Sequence, residues 1–79
     1  METVPVKISD IRVPNRSELI EGKITSVENS PDSISSLLHD ATDPITLHKG
    51  TPPYEVYSGR HRVYVADQKG IKIIPAVFN

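Results

Sequence analysis

A chain of 79 residues with no Cys, no Trp and one Phe has room for one domain and one modest core, because a chain this short buries only about 60% of the surface it exposes when unfolded. Disulfides, cysteine metal sites and thiol chemistry are excluded, and Ile, Val, Leu and Tyr must fill the core. The formal net charge of −1 argues against broad, non-specific binding to a nucleic-acid backbone, which needs many Lys and Arg on one face.

The charge is unevenly spread. Residues 1–43 carry four Lys/Arg against eight Asp/Glu, whereas residues 44–79 carry five against two, so an anion site is expected in the second half. Met1-Glu2-Thr3-Val4-Pro5 has no basic segment leading into an apolar stretch, and no long apolar run follows. Neither a signal peptide nor a membrane span is expected, which makes a cytoplasmic protein with no membrane partner the default.

In chain order, Val4, Val6 and Ile8 alternate with Pro5 and Lys7, the period-two pattern of a half-buried strand at residues 4–8, and Pro5 places it at an edge or a strand start. Residues 9–16 mix turn formers with Pro14 and read as a structured loop. From Glu18 to Glu28, Ile20, Ile24 and Val27 have helical spacing, yet Gly22 interrupts them, and both helix and extended chain fit. Ser30 as cap, Pro31 at the first helical position, Asp32 in the first turn and Ile34, Leu37, Leu38 and Ala41 on one face predict a short amphipathic helix. Thr42-Asp43-Pro44 ends it, since the residue before proline avoids helical geometry. Ile45 and Leu47, then Tyr54, Val56 and Ser58, predict a hairpin turning through Lys49-Gly50-Thr51-Pro52-Pro53. A helix from about Arg60 to Lys69 with Gly70 as its C-terminal cap follows, and Ile71 to Phe78 form a final buried strand. The whole reads as a single α/β (α+β) unit over residues 1–79, without repeat or linker.

The segment with chemical promise is Ser58-Gly59-Arg60-His61-Arg62. A strand that opens through Gly directly into a helix presents free first-turn N–H groups, the positive end of the helix dipole and a close backbone approach to an anion. Arg60 and Arg62 add donors suited to phosphate oxygens, and His61 adds one that switches near neutral pH. Three basic side chains oppose the dipole of their own helix, and a bound anion would offset that opposition.

Tyr54-Glu55-Val56-Tyr57-Ser58-Gly59-Arg60-His61-Arg62 resembles the strand-turn-helix signature of the superfamily that joins the ParB N-terminal domain and sulfiredoxin, where the turn reads Gly-Glu-Arg-Arg or Gly-Cys-His-Arg. His61-Arg62 is similar to the sulfiredoxin form. Ala66, Gly70 and Ile74-Pro75-Ala76-Val77 are similar to the ParB continuation. Val4-Pro5-Val6 through Ile11-Arg12-Val13-Pro14 resembles the opening strand and loop of sulfiredoxin, and Pro44-Ile45 resembles the start of the second strand, so the likeness runs from Val4 to Phe78.

The resemblance implies a small mixed sheet of about four strands with two or three helices, and a nucleoside triphosphate (ATP or CTP), with Mg²⁺, held at the turn. The candidate phosphate ligands are Ser58, Gly59, Arg60, His61 and Arg62; the resemblance implies Gly59, His61 and Arg62 among them, with Arg62, the shared residue of the motif, as the principal contact, Arg12 as a second clamp and Arg16 as a weaker candidate. Asp43 is a candidate for Mg²⁺. Arg60 stands where sulfiredoxin has its nucleophilic Cys, so reductase activity is not expected. His39 and His48 lack zinc-ligand spacing, and no metal ligand is assigned. Tyr54, Tyr57 and Tyr64 are candidates for stacking on a base, with packing as their alternative.

The leading expectation is a nucleotide- or phosphate-binding domain, with NTP hydrolysis or phosphotransfer among the reactions it allows. The alternatives are a DNA-directed nuclease or DNA-binding accessory protein, and a non-enzymatic module that binds a protein partner and has kept the fold. The helix-turn-helix that follows this domain in partition proteins is not among these 79 residues. The base, and whether any reaction is catalysed, are left open.

Overall fold

A computed structural model describes residues 3–30, 34–40 and 42–79. β1 (Val4–Lys7) is followed by a one-turn 3-10 helix at Ile8–Asp10 and another at Arg16–Glu18. Then come α1 (Glu21–Glu28), α2 (Ile34–Leu38), β2 (Ile45–Leu47), β3 (Val56–Ser58), α3 (Arg60–Gln68) and β4 (Ile73–Phe78). The fold is α+β: the described residues form three α-helices and a four-stranded mixed sheet in the order β1-β4-β2-β3. β1 and β3 run antiparallel to their neighbours, and β2 runs parallel to β4.

The alternation of Val4 to Lys7 makes an edge strand, where the missing N–H of Pro5 is tolerated opposite Pro75. The strand stops one residue earlier than its pattern suggests. Ile8 donates its N–H to Lys72 O and accepts from Ile11 N, which turns the chain into the 3-10 helix and sends the Ile8 side chain into the core. Val6, Ile45, Leu47, Ile74 and Ala76 pack with Val63 and Ala66 of α3 in the main apolar cluster. A second cluster of Leu19, Ile24 and Val65, with Val27, Ile34 and Tyr64 against it, seats α1 on α3.

That second cluster decides the ambiguous segment in favour of helix. Ile24 is fully buried there, so tertiary packing outweighs the weak intrinsic preference of a stretch containing Gly22, Thr25 and Val27. The order therefore holds one helix more than strand, loop, helix, hairpin, helix, strand. Of the expected helix Ser30–Ala41, α2 covers Ile34–Leu38 and ends before His39 and Asp40, while Pro31, Asp32, Ser33 and Ala41 lie outside the described residues. Its stop is a side-chain turn, in which Asp40 Oδ1 accepts from the N and Oγ1 of Thr42 at 2.9 and 2.7 Å.

Two hairpin expectations shift. Tyr54 is an isolated bridge to Ile11 and packs edge-on against Phe78, and the strand proper begins at Val56. Ile71 belongs to the end of α3 instead of the last strand: Gly70 N–H bonds Asp67 O and Ile71 N–H bonds Ala66 O, with Gly70 at φ +77°. This pair of bonds is a Schellman cap, and it requires the left-handed residue that Gly70 supplies.

Among the described residues no helix is long and apolar enough to cross a membrane. Ile45, fully buried where β2 meets β4 and α3, is the sharpest test of this packing. Ile45→Ala is expected to lower stability by about 2–5 kcal/mol in a urea titration without changing the slope of the transition.

Candidate functional site

The site begins at Gly59, which connects β3 to α3 at φ +96° and ψ 24°. A Cβ here would collide with Cδ1 of Ile45 and come within 3.1 Å of Arg62 Nη2, so both the conformation and the space call for glycine. The first intrahelical bond runs from Val63 N to Gly59 O at 2.9 Å, and no side chain caps the helix. The N–H groups of Arg60, His61 and Arg62 thus form an uncapped positive helix end.

That end opens on a cleft of about 450 Å³, walled by Tyr57, Ser58, Gly59, Arg60, His61 and Arg62 on one side, by Lys23, Ser26 and Val27 of α1 on the other, and by Asp43. Among the described residues no hydrogen bond or ion pair engages the side chain of Lys23 or of Arg60, although Arg60 acts electrostatically on Glu18. The five expected residues from Ser58 to Arg62 all line this space. Lys23 and Ser26 are additions that sequence reasoning missed. Their signal is the spacing 23, 26, 27, one helical face, which becomes legible only once residues 21–28 are a helix.

Arg62 lies in the cleft wall but is turned to the protein. Its Nη1 donates to Leu37 O at 3.1 Å and to Asp43 O at 2.7 Å, and its Nη2 lies 3.3 Å from Asp43 Oδ2. With a side chain only 12% exposed, the guanidinium clasps the end of α2 and the turn before β2. Asp43 is correspondingly engaged, although its own side chain is 66% exposed. A Mg²⁺ ion at this carboxylate would have to share it with the Arg62 guanidinium, which lies against Oδ2. Among the described residues no group of three or more His, Cys, Asp or Glu is gathered in one place.

His61 differs from expectation in its hydrogen bond. Its Nε2 accepts the N–H of Ile20 at 3.2 Å, so that nitrogen is not a donor in this structure. Burial of the ring, then repulsion from Lys23 and Arg60, holds His61 below the ordinary histidine range.

No protein-family model matches this chain, and no curated protein matches it.

The outer candidates separate from the cleft. Arg12 sits in a smaller neighbouring pocket with Glu18, Glu55 and Arg60, and its Nη2 is 3.3 Å from Glu18 Oε1. Hydrogen bonds from Asn15 N–H and then Arg12 hold the Glu18 carboxyl below its usual range. Arg16 bonds Glu21 twice at 2.7 Å, and its guanidinium lies over the Tyr64 ring at 5.9 Å, away from the turn. Tyr57 is exposed on the cleft rim and meets His48 edge-on at 5.2 Å.

Two outcomes follow from this geometry. Arg62→Ala leaves Leu37 O and Asp43 O without their charged donor, and chemical denaturation is expected to show a loss of about 1–3 kcal/mol. For His61 the unfolded chain, with a value near 6.5, binds more protons than the folded one. Stability is therefore expected to be full above about pH 6.5 and to fall as pH drops through the lower folded value, a dependence that His61→Gln removes in denaturation curves taken across that window.

Proposed function

We propose that this chain is a phosphate- or nucleotide-binding domain of the ParB/sulfiredoxin kind, with the anion held by the first-turn N–H groups of α3 and by Lys23 and Arg60. The observation that carries the reading is the uncapped α3 end behind Gly59, facing a cleft whose two otherwise unengaged cations come from opposite walls. Helix N-termini bind phosphates through their orphan N–H groups, and two cations whose side chains form no ion pair supply the remaining counter-charge. At about 450 Å³ the cleft falls within the range of small-ligand sites.

The roles within the motif differ from those the resemblance implies. Arg62, the shared residue, supports the site by holding α2 and the Asp43 turn, whereas Arg60 offers the accessible donors. Without Cys the chain has no thiol for sulfiredoxin-type attack, so the reading is one of binding, with a reaction left to a group the ligand or partner brings. A DNA-directed role gains no support from the adjacent pocket, where Glu18 and Glu55 stand beside Arg12 and Arg60.

Titration with tripolyphosphate, ATP, CTP, GTP and ADP, with and without Mg²⁺, followed by amide NMR, tests this directly. The amides of Gly59 to Val63 are expected to move, Arg60→Ala and Lys23→Ala each to weaken binding by about tenfold or more, and Arg12→Ala to change it little. If none of these ligands moves those amides at millimolar concentration, the interaction-module reading replaces this one.

A further inference from the structure

His61 makes a contact that a plain phosphate ligand would not need. Its Nε2 accepts the N–H of Ile20, the residue immediately before α1, and so ties the start of α1 to the first turn of α3. A ring nitrogen that accepts a hydrogen bond carries no proton, so this tie exists only for the neutral imidazole with its hydrogen on Nδ1. Its position matters because α1 brings Lys23, Ser26 and Val27 into the cleft as the wall facing α3.

The charged groups around the ring favour that neutral state. Lys23 approaches from α1, and Arg60 from the same helix as His61. Arg62, also on α3, is turned away onto Asp43 of the turn before β2, and the Asp43 carboxylate is engaged in return. Glu18, from the 3-10 helix preceding α1, is held by Asn15 N–H and Arg12. Lys23 and Arg60, whose side chains make no ion pair, are the charges that bear on the ring, although Arg60 also faces Glu18 and Glu55 in the neighbouring pocket; among the described residues no carboxylate acts on the imidazole itself.

We propose that His61 is a positioning residue for the cleft, a proton-sensitive latch whose neutral ring ties the N-terminal end of α1 to the first turn of α3 and whose protonation releases the Ile20 N–H, while the Leu19–Ile24–Val65 cluster keeps α1 seated. The coupling of this latch to a ligand rests on the phosphate reading above. An anion in the cleft supplies the missing counter-charge, favours the protonated ring and so promotes release. Proton uptake and anion binding are then linked, each strengthening the other.

The test is an amide and histidine-ring NMR titration from about pH 7.5 to about 5 on the wild-type chain and on His61→Gln, whose side-chain oxygen can accept the same N–H without titrating. In wild type the amides of Ile20, Glu21, Gly22 and Lys23 are expected to shift with a single midpoint equal to that of the His61 ring, and Ile20 to lose protection from hydrogen exchange at the acid end. In His61→Gln the same amides are expected to stay at their alkaline positions throughout. Amides that ignore the titration of the ring, or a variant that titrates as wild type does, would overturn the latch. Sulfate, doubly charged across this range, serves as the anion probe. It is expected to raise the midpoint of His61, with wild-type affinity increasing by up to about tenfold per pH unit of acidification and the variant staying flat. Sulfate that leaves the amides of Arg60 to Val63 unmoved would remove the phosphate reading, while the anion-free titration decides the latch by itself.

Discussion

The left-handed turn at Gly59 is the constraint on which the rest depends. It lets α3 start within van der Waals reach of Ile45 in the middle of the sheet, a distance that no side chain at position 59 would permit. Because β3 ends at Ser58 and α3 begins at Arg60, there is no intervening loop to supply a side-chain cap. The close packing that secures the core therefore leaves the polar end of the helix unsatisfied at the surface. One geometric fact produces both the stability of the Val63 and Ala66 contacts and the potential of the anion site.

The basic residues that follow Gly59 divide their labour according to where α3 points them. Arg62 turns inward and holds the carbonyls of Leu37 and Asp43, satisfying the end of a helix too short to stand on its own. His61 turns toward α1 and accepts from Ile20. Arg60 faces the cleft, opposite Lys23. Two like charges at a positive helix end are unfavourable for the fold alone, a local conflict that a bound anion would relieve under the proposed function.

Much of the architecture is legible from residue order. The alternation at Val4 to Lys7 and the Gly70 cap each follow from local backbone preference, and each lies where that preference puts it, whereas α2 stops at Leu38, ahead of the Pro44 boundary. Other features are tertiary and have no local signature. Residues 21–28 are helical because Ile24 finds Leu19 and Val65, a contact spanning the chain that periodicity around Gly22 does not reveal. For the same reason Lys23 and Ser26 were invisible as cleft residues. The string Gly59 to Arg62 is conspicuous as a basic helix start, yet which of its side chains face the cleft depends on the carbonyls of Leu37 and Asp43 and on the N–H of Ile20, which sequence spacing does not place nearby.

The central claim is that the first turn of α3 receives an anion. Its most direct measurement is a crystal of the protein soaked in tungstate, with the anomalous signal of the metal locating the anion independently of any interpretation of the surrounding density. The account requires an anomalous peak within hydrogen-bond reach of the backbone N–H groups of Arg60, His61 or Arg62, with Lys23 or Arg60 completing the shell. A tungstate bound only elsewhere on the surface, with this helix end left bare at saturating concentration, would contradict it.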